Sequence, residues 1–304
     1  MNDKINQFIE SALTAVLGKK NEVKLALCCF LSEGHLLIED VPGVGKTTFA
    51  KTMAKLLDLS FARIQFTNDL MPSDLLGIQI YDSKEGKFNL IPGPIFNQFI
   101  LADELNRGTP KTQSALLEAM EEQQVTLDGQ TLILPKPFFV VATQNPRSQI
   151  GTHNLPESQL DRFMMKIKIG YPENSIEKMI ISDNQHIKSL KELKATLSST
   201  ELNELVGQIQ NVNVSEKLLS YVLSLLENSR NNNSFLGLSP RAGRDIIRAA
   251  KSWAYIHGRD FVLPDDVQAI LSSVVSHRLA PFQTQSLDQD QELTKALLKI
   301  THVD

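Results

Sequence analysis

The stretch EDVPGVGKTT at residues 39–48 decides how the rest of the chain is read. Gly43, Val44 and Gly45 let backbone N–H groups turn inward around phosphate oxygens. Lys46 sets a positive charge against β- and γ-phosphates, and the Thr47 hydroxyl can ligate Mg2+. Asp40, Val41, Pro42, Gly43, Val44, Gly45, Lys46, Thr47 and Thr48 are therefore the expected nucleotide contacts. The flanks agree. His35-Leu36-Leu37-Ile38 is an apolar run suited to a buried parallel strand, and Phe49, Met53, Leu56 and Leu57 follow with the spacing of an amphipathic helix. Asp40 stands where the G-x-x-x-x-G-K-[ST] pattern has its first glycine, at a position expected to turn its side chain outward. The stretch reads as a variant loop, with a chance match as the alternative.

Further along, Phe99-Ile100-Leu101-Ala102 runs into Asp103 and Glu104. Such a segment suits a central strand whose C-terminal end delivers acids to a ligand crevice. Asp103 is then the expected Mg2+ ligand with Thr47, directly or through water. Glu104 is the residue expected to orient or polarise the attacking water. On its own the segment reads as a strand ending in a solvated acidic turn; the upstream loop favours the catalytic reading.

At 304 residues the chain can bury a large core and exceeds the usual size of one domain, so two are expected. A net charge of −4 and a pI near 5.9 give no general affinity for polyanions, which argues against DNA or RNA as the main partner. The start MNDKINQFIE has no apolar h-region and no run is long enough to span a bilayer, so a soluble cytoplasmic protein is expected. Cys28 and Cys29 are adjacent, which suits neither a disulfide framework nor a zinc knuckle and leaves helix packing. The histidines are scattered without metal-ligand spacing.

The first half alternates strands and helices. Strands are expected at 35–39, 61–66, 99–104, 138–143 and 164–169, with helices near 5–17, 20–32, 47–57 and 110–123. Thr109-Pro110 marks a helix start, a capping hydroxyl followed by proline at the first helical position. The pattern is that of a doubly wound parallel sheet. After Tyr171-Pro172 the periodicity turns helical: Ile176 to Ile187, Thr200 to Ile209, Ser215 to Leu226, Pro240 to His257, Pro264 to Leu279 and Gln291 to Ile300. The expected division is 1–171 for the nucleotide-binding core and 172–304 for an all-helical second domain. Asn231-Asn232-Asn233-Ser234 reads as a loop. Two hairpins interrupt the sheet, one over 77–81 and 87–90, the other over 124–127 and 130–133 around Asp128-Gly129. Protection of sheet edges is the plainer role for both.

These motifs together resemble the AAA+ ATPases of the MoxR family: DVPGVGKT at 40–47, ADELNRG at 102–108, ALLEAMEEQQVTLDG at 115–129, ATQNP at 142–146, LPESQLDRF at 155–163 and SPRA at 239–242. The match keeps its order over roughly residues 5 to 280. The family is similar to magnesium-chelatase ATPase subunits and minichromosome-maintenance helicases in carrying both hairpins. The resemblance implies a five-stranded sheet of order 5-1-4-3-2, a helical lid, and rings, commonly hexamers, with ATP between neighbours.

It also implies roles that can be weighed residue by residue. Asn145 looks like the sensor-one polar residue that holds the water with Glu104; a turn-forming Asn before Pro146 is the alternative. Arg162 looks like an arginine finger that projects into the next subunit's site, against the alternative of a surface ion pair with Asp161 or Glu157. Arg241 looks like sensor two, tying the lid to nucleotide state, in cis or in trans. Arg107 resembles a family position but reads equally as an ordinary loop arginine.

Family members are chaperone-like factors that mature or activate partner proteins, often metalloenzymes, with von Willebrand factor A domain proteins. No strand-rich segment of that kind follows Pro172, so a separate adaptor is implied. The rival readings are a nucleic-acid motor and a magnesium-chelatase-like ATPase subunit. A motor's pore hairpin needs basic residues at its tip, and Leu127-Asp128-Gly129-Gln130 has none. The partners expected are thus copies of this chain and a protein client, with no nucleic acid and no membrane span.

Overall fold

The computed structural model describes residues 2–84, 86–145, 153, 155–182, 190–232, 236–279 and 289–301. Its strands are β1 (Leu36–Glu39), β2 (Phe61–Gln65), β3 (Gly77–Asp82), β4 (Lys87–Pro92), β5 (Phe99–Asp103), β6 (Gln124–Leu127), β7 (Gln130–Ile133), β8 (Phe139–Gln144) and β9 (Met165–Ile167). The helices are α1 (Asn2–Leu13), α2 (Lys20–Leu31), α3 (Lys46–Leu56), α4 (Pro72–Leu76), α5 (Pro110–Glu122), α6 (Glu157–Leu160), α7 (Asn174–Ile181), α8 (Ser199–Gln210), α9 (Glu216–Asn231), α10 (Pro240–Ile256), α11 (Pro264–Leu279) and α12 (Gln289–Ile300).

Every residue of β1, β5, β8 and β9 is buried, which explains the unbroken apolar runs 36–38, 99–102 and 139–142, while the buried Lys166 of β9 is paired with Glu39 of β1. These strands form one sheet with β2, in the order β2-β5-β8-β1-β9 and with every pair parallel. Counted among the five core strands alone, this is the expected order 5-1-4-3-2. Successive side chains leave opposite faces. Leu36, Ile38, Phe99, Leu101, Phe139 and Val141 enter one core with α1, α2 and α3. Leu37, Ile100, Ala102, Val140 and Ala142 enter a second core under α5.

The helical C-terminal half continues the first of these cores. Ala249, Val267, Val274 and Leu297 belong to the same cluster as α2. At that junction the Cys28 thiol donates to the Ala249 carbonyl over 3.2 Å and Ser32 and Ser252 share a hydroxyl bond of 2.7 Å. Cys28 and Cys29 are fully buried packing residues, as expected, and desolvation holds both thiols in the protonated form.

Both hairpins form. In the second, Leu127 pairs with Gln130 across Asp128 and Gly129, whose φ angles of 48° and 81° are those of the two-residue turn that Asp-Gly favours. The first is longer than expected, with pairing from Asp82–Lys87 down to Gly77–Pro92.

Boundaries differ where local chemistry intervenes. The first helix, expected over 5–17, stops at Leu13. The chain then turns through Thr14 and Ala15 N–H bonds to the Ser11 and Ala12 carbonyls and reverses at Gly18, φ 73°. The helix expected to reach Ile187 is Asn174–Ile181; residues 183–189 lie outside the described residues, as do Asn233 and Ser234 of the expected loop. Helices α4 and α6 were not expected, being too short for periodicity to register.

His35 ties the N-terminal edge of the sheet together. Its Nδ1 accepts from the Val140 N–H at 3.1 Å, so Nε2 carries the proton and donates to the Met120 carbonyl at 3.2 Å. Burial, the largest cause, with Arg241 and Arg248 nearby, pushes the imidazole down to about 4 from 6.5. The neutral ring belongs to the folded state. The unfolded chain takes up the proton first, so stability falls as pH drops from about 6.5 toward 4, by roughly 3 kcal/mol in all. A His35→Gln variant is expected to flatten the dependence between pH 6 and 5 by about 1 kcal/mol per pH unit. Urea unfolding at the two pH values measures this, and an unchanged slope contradicts the assignment.

Candidate nucleotide site and arginine face

The C-terminal ends of four parallel strands bring the polar residues together. Glu39 lies opposite Gln144, and Gln65 lies opposite Asp103. Between β1 and α3 the loop needs positive φ at Gly43 (88°) and Gly45 (90°), a region only glycine enters freely. Among the described residues no backbone carbonyl accepts from the N–H groups of Val44, Gly45, Lys46 or Thr47. They form the donor end of an 11-residue helix, with the positive end of its dipole. Such a donor set fits a polyphosphate.

Lys46 is buried at the mouth of this loop. Its ammonium donates to the Asp40 carbonyl at 2.5 Å and to Asn145 Oδ1 at 3.0 Å. Desolvation lowers its pKa, against the pull of Asp40, Asp103, Glu104 and Glu39. The Asn145 amide then donates from Nδ2 to Glu104 Oε1 at 3.4 Å. One side chain therefore bridges the loop lysine and the expected catalytic carboxylate. Glu104 sits at φ 54°, a left-handed conformation unusual for a glutamate and a form of strain common at functional sites.

Asp103 is nearly enclosed. Its Oδ1 accepts from the Thr143 hydroxyl at 2.6 Å, and its Oδ2 lies 3.4 Å from Thr47 Oγ1. A carboxylate and a hydroxyl oxygen at this separation are hard donors of the kind Mg2+ takes. Three neighbours were missed from sequence. Arg63 pairs with Asp103 Oδ2 through Nε (3.0 Å) and Nη2 (2.7 Å), Gln65 Nε2 donates to Glu104 Oε2 at 3.1 Å, and Thr143 also accepts from the Glu104 N–H at 2.9 Å. Polar residues at the end of β2, beside an otherwise apolar sheet, were the available signal for the first two. Arg107 is more than a loop arginine: its Nη1 pairs with Glu104 Oε2 at 3.0 Å.

Asp40 departs from the expectation that its side chain turns outward. It is buried, with Oδ2 accepting from the backbone N–H groups of Ile169 (2.8 Å) and Gly170 (2.5 Å) and Oδ1 from Val41 (2.8 Å). The residue that replaces the common glycine thus ties the loop to the segment leading out of β9.

Arg162 and Arg241 lie at the other edge of the sheet. Arg162 precedes Met164, whose N–H donates to the His35 carbonyl at the start of β1, and Arg241 acts electrostatically on His35. The loop follows the far end of β1, a strand of four residues that spans on the order of 13 Å. Arg162 pairs with neither Asp161 nor Glu157; both arginines pair with Glu121. The residues flanking Arg162 are clasped to the helical half. Arg278, buried on α11, pairs with Asp161 at 2.9 Å and Asp245 at 2.6 Å, and it donates to the Asp161 and Phe163 carbonyls at 3.0 and 3.1 Å.

Comparison with known proteins accords with this layout. Residues 35–165 match the ATPase family associated with various cellular activities (AAA), and residues 229–296 match the AAA lid domain. The chain is 40% identical to the protein named Chaperone MoxR1 of Mycobacterium tuberculosis over 87% of this chain and 72% of that one. It is 42% identical to YeaC of Bacillus subtilis, a protein without an assigned function, over 90% and 86% respectively. The chain belongs to the MoxR family of AAA+ ATPases. A crystal structure of an ATPase candidate from Cytophaga hutchinsonii superimposes on the whole of this chain and 96% of that one, with a TM-score of 0.87 and 37% identity. As a family member the chain binds nucleotide and hydrolyses ATP. No helix among the described residues is long and apolar enough to cross a membrane.

Restoring the common glycine tests the anchoring role of Asp40 in this MoxR-family loop. Asp40→Gly leaves the Ile169 and Gly170 N–H groups without their acceptor, a loss of about 2 kcal/mol in unfolding free energy. Nucleotide affinity is expected to change only a few-fold. Equal stability in urea unfolding contradicts the anchor.

Proposed function

We propose that this chain is a Mg2+-dependent ATPase whose active site is shared between copies in a ring, and that ATP turnover remodels or activates a protein client. The observation that carries the reading is the split of site residues between two edges. Lys46, Thr47, Asp103, Glu104 and Asn145 gather at one edge of the sheet, whereas Arg162 and Arg241 share Glu121 at the other.

In this reading Asp40 to Thr48 cradle the phosphates, and Lys46 neutralises the β- and γ-oxygens. Thr47 and Asp103 would hold Mg2+, which supplies further charge neutralisation on the same oxygens. Glu104 and Asn145 hold the attacking water, with Asn145 coupling that carboxylate to Lys46. Arg162 and Arg241 stand at the opposite end of β1 from their own loop and pair there with Glu121, so in this reading both act in trans on a neighbour's nucleotide. Residues 1–171 are the nucleotide-binding core and 172–304 the helical lid. A closed ring, a hexamer in this reading, supplies each loop with an arginine face.

A protein client is supported by the surface of the first hairpin, where Ile78, Ile80, Tyr81, Phe88 and Ile91 are exposed. The second hairpin ends in Leu127-Asp128-Gly129-Gln130, without a basic residue for phosphate. The name borne by the Mycobacterium relative agrees with a chaperone role, and a separate von Willebrand factor A domain adaptor completes the reading.

Lys46→Ala is expected to abolish nucleotide binding. Glu104→Gln is expected to bind ATP and lose turnover by about 100-fold or more, because the lysine charge acts on bound phosphates and the carboxylate on the water. Equilibrium nucleotide titration and a phosphate-release assay separate the two. Wild-type turnover in Glu104→Gln refutes the assignment. Single-stranded DNA should not stimulate hydrolysis at about 0.15 M salt; strong stimulation there favours a nucleic-acid motor instead.

A further inference from the structure

Both arginines of the trans-acting edge end on one carboxylate. Arg162 Nε lies 2.9 Å from Glu121 Oε2, and Arg241 Nη1 lies 3.0 Å from Glu121 Oε1. The three residues come from α5, from the turn before β9 and from the first turn of α10, so only the tertiary fold brings them together. Sharing one carboxylate brings the two guanidiniums close together, and the Glu121 charge between them offsets their mutual repulsion.

The backbone beneath this carboxylate is fixed. Met120, its neighbour, is buried and its carbonyl accepts from His35. The Glu121 side chain itself remains 39% exposed, so it faces outward with its two partners rather than serving as a core contact. Each guanidinium carries five N–H donors, and one bond to Glu121 leaves others for phosphate oxygens. Two cations on one anion also leave a net positive charge at the surface.

We propose that Glu121 is a positioning residue that assembles Arg162 and Arg241 into a single anion-binding pair, presented to the γ-phosphate held in the loop of a neighbouring copy. This rests on the shared-site reading above and adds to it the group that sets the spacing and direction of the two arginines. Glu121 touches no phosphate; it acts through the guanidiniums.

The test is Glu121→Gln in the full chain, which keeps the size of the side chain and removes its charge. Turnover is expected to fall about 10- to 100-fold with KM for ATP within about twofold, since misdirected arginines weaken the transition state and leave binding at the distant loop alone. Mixing experiments assign the lesion to an edge of the molecule. Glu121→Gln mixed with Lys46→Ala should regain activity, because mixed interfaces combine an intact loop with an intact arginine pair. Glu121→Gln mixed with Arg162→Ala should regain none, because both spoil the same edge. Wild-type turnover in Glu121→Gln, or recovery with Arg162→Ala instead of with Lys46→Ala, overturns the role of Glu121. The control is Arg162→Ala mixed with Lys46→Ala. Silence in that mixture overturns the shared-site reading and the proposal with it, whereas recovery there confines any failure to Glu121.

Discussion

The register of the parallel strands is the constraint on which the site depends. Leu101 lies opposite Val141, and Ile38 opposite Thr143. With those pairings fixed, β5 ends in Asp103 and hands on to Glu104 just where β8 ends in Thr143 and Gln144 and hands on to Asn145, and where β1 opens into the phosphate loop. A slip of one residue would exchange the two faces of a strand buried on both sides. It would also carry Thr143 away from Asp103 and Asn145 away from Glu104. The apolar packing on both faces, with Phe99, Leu101 and Val141 on one and Ile100, Val140 and Ala142 on the other, is what excludes the slip. Stability and chemistry therefore share one cause: the side chains that fill the core set the position of the acids at its edge.

The same geometry gives the molecule two chemically distinct edges. At the C-terminal ends of the strands, acids, a lysine and free helix N–H groups are arranged for a polyphosphate and a cation. At the N-terminal ends, His35 locks β1, β8 and α5 together, and beside it two arginines stand over Glu121. Each edge has its own long-range tie: Asp40 holds the loop to the backbone at Ile169 and Gly170, beyond β9, and Arg278 of the helical half reaches from α11 to the carbonyls on either side of Arg162 and to the carboxylates of Asp161 and Asp245. Buried ion pairs of this kind contribute little net stability, but removing one partner is costly, so they favour a single relative placement of the parts they join.

Much of this was legible in the sequence wherever the signal is local. The loop glycines, the acidic end of β5, the Asp-Gly turn and the Thr109-Pro110 helix start are short patterns whose backbone conformations are dictated by the residues themselves. So were Lys46, Asp103 and Glu104 as members of one site, whereas Asn145, Arg162 and Arg241 were singled out only through the family resemblance. What escaped was decided by pairing over long separations. Arg63 and Gln65 meet Asp103 and Glu104 because β2 pairs with β5. Asp40 finds its acceptor role because β9 runs beside β1, and nothing in the loop itself announces that. Glu121 is one of two adjacent glutamates at the end of a helix, and only the fold distinguishes it from Glu122.

A site shared by two copies, one supplying the loop and the other the arginines, ties catalysis to association, which specific ATPase activity measured across a wide range of protein concentration reads out. Activity per chain is expected to rise as copies associate and to level off once association is complete. Constant specific activity from the dissociated to the associated state would contradict a shared site.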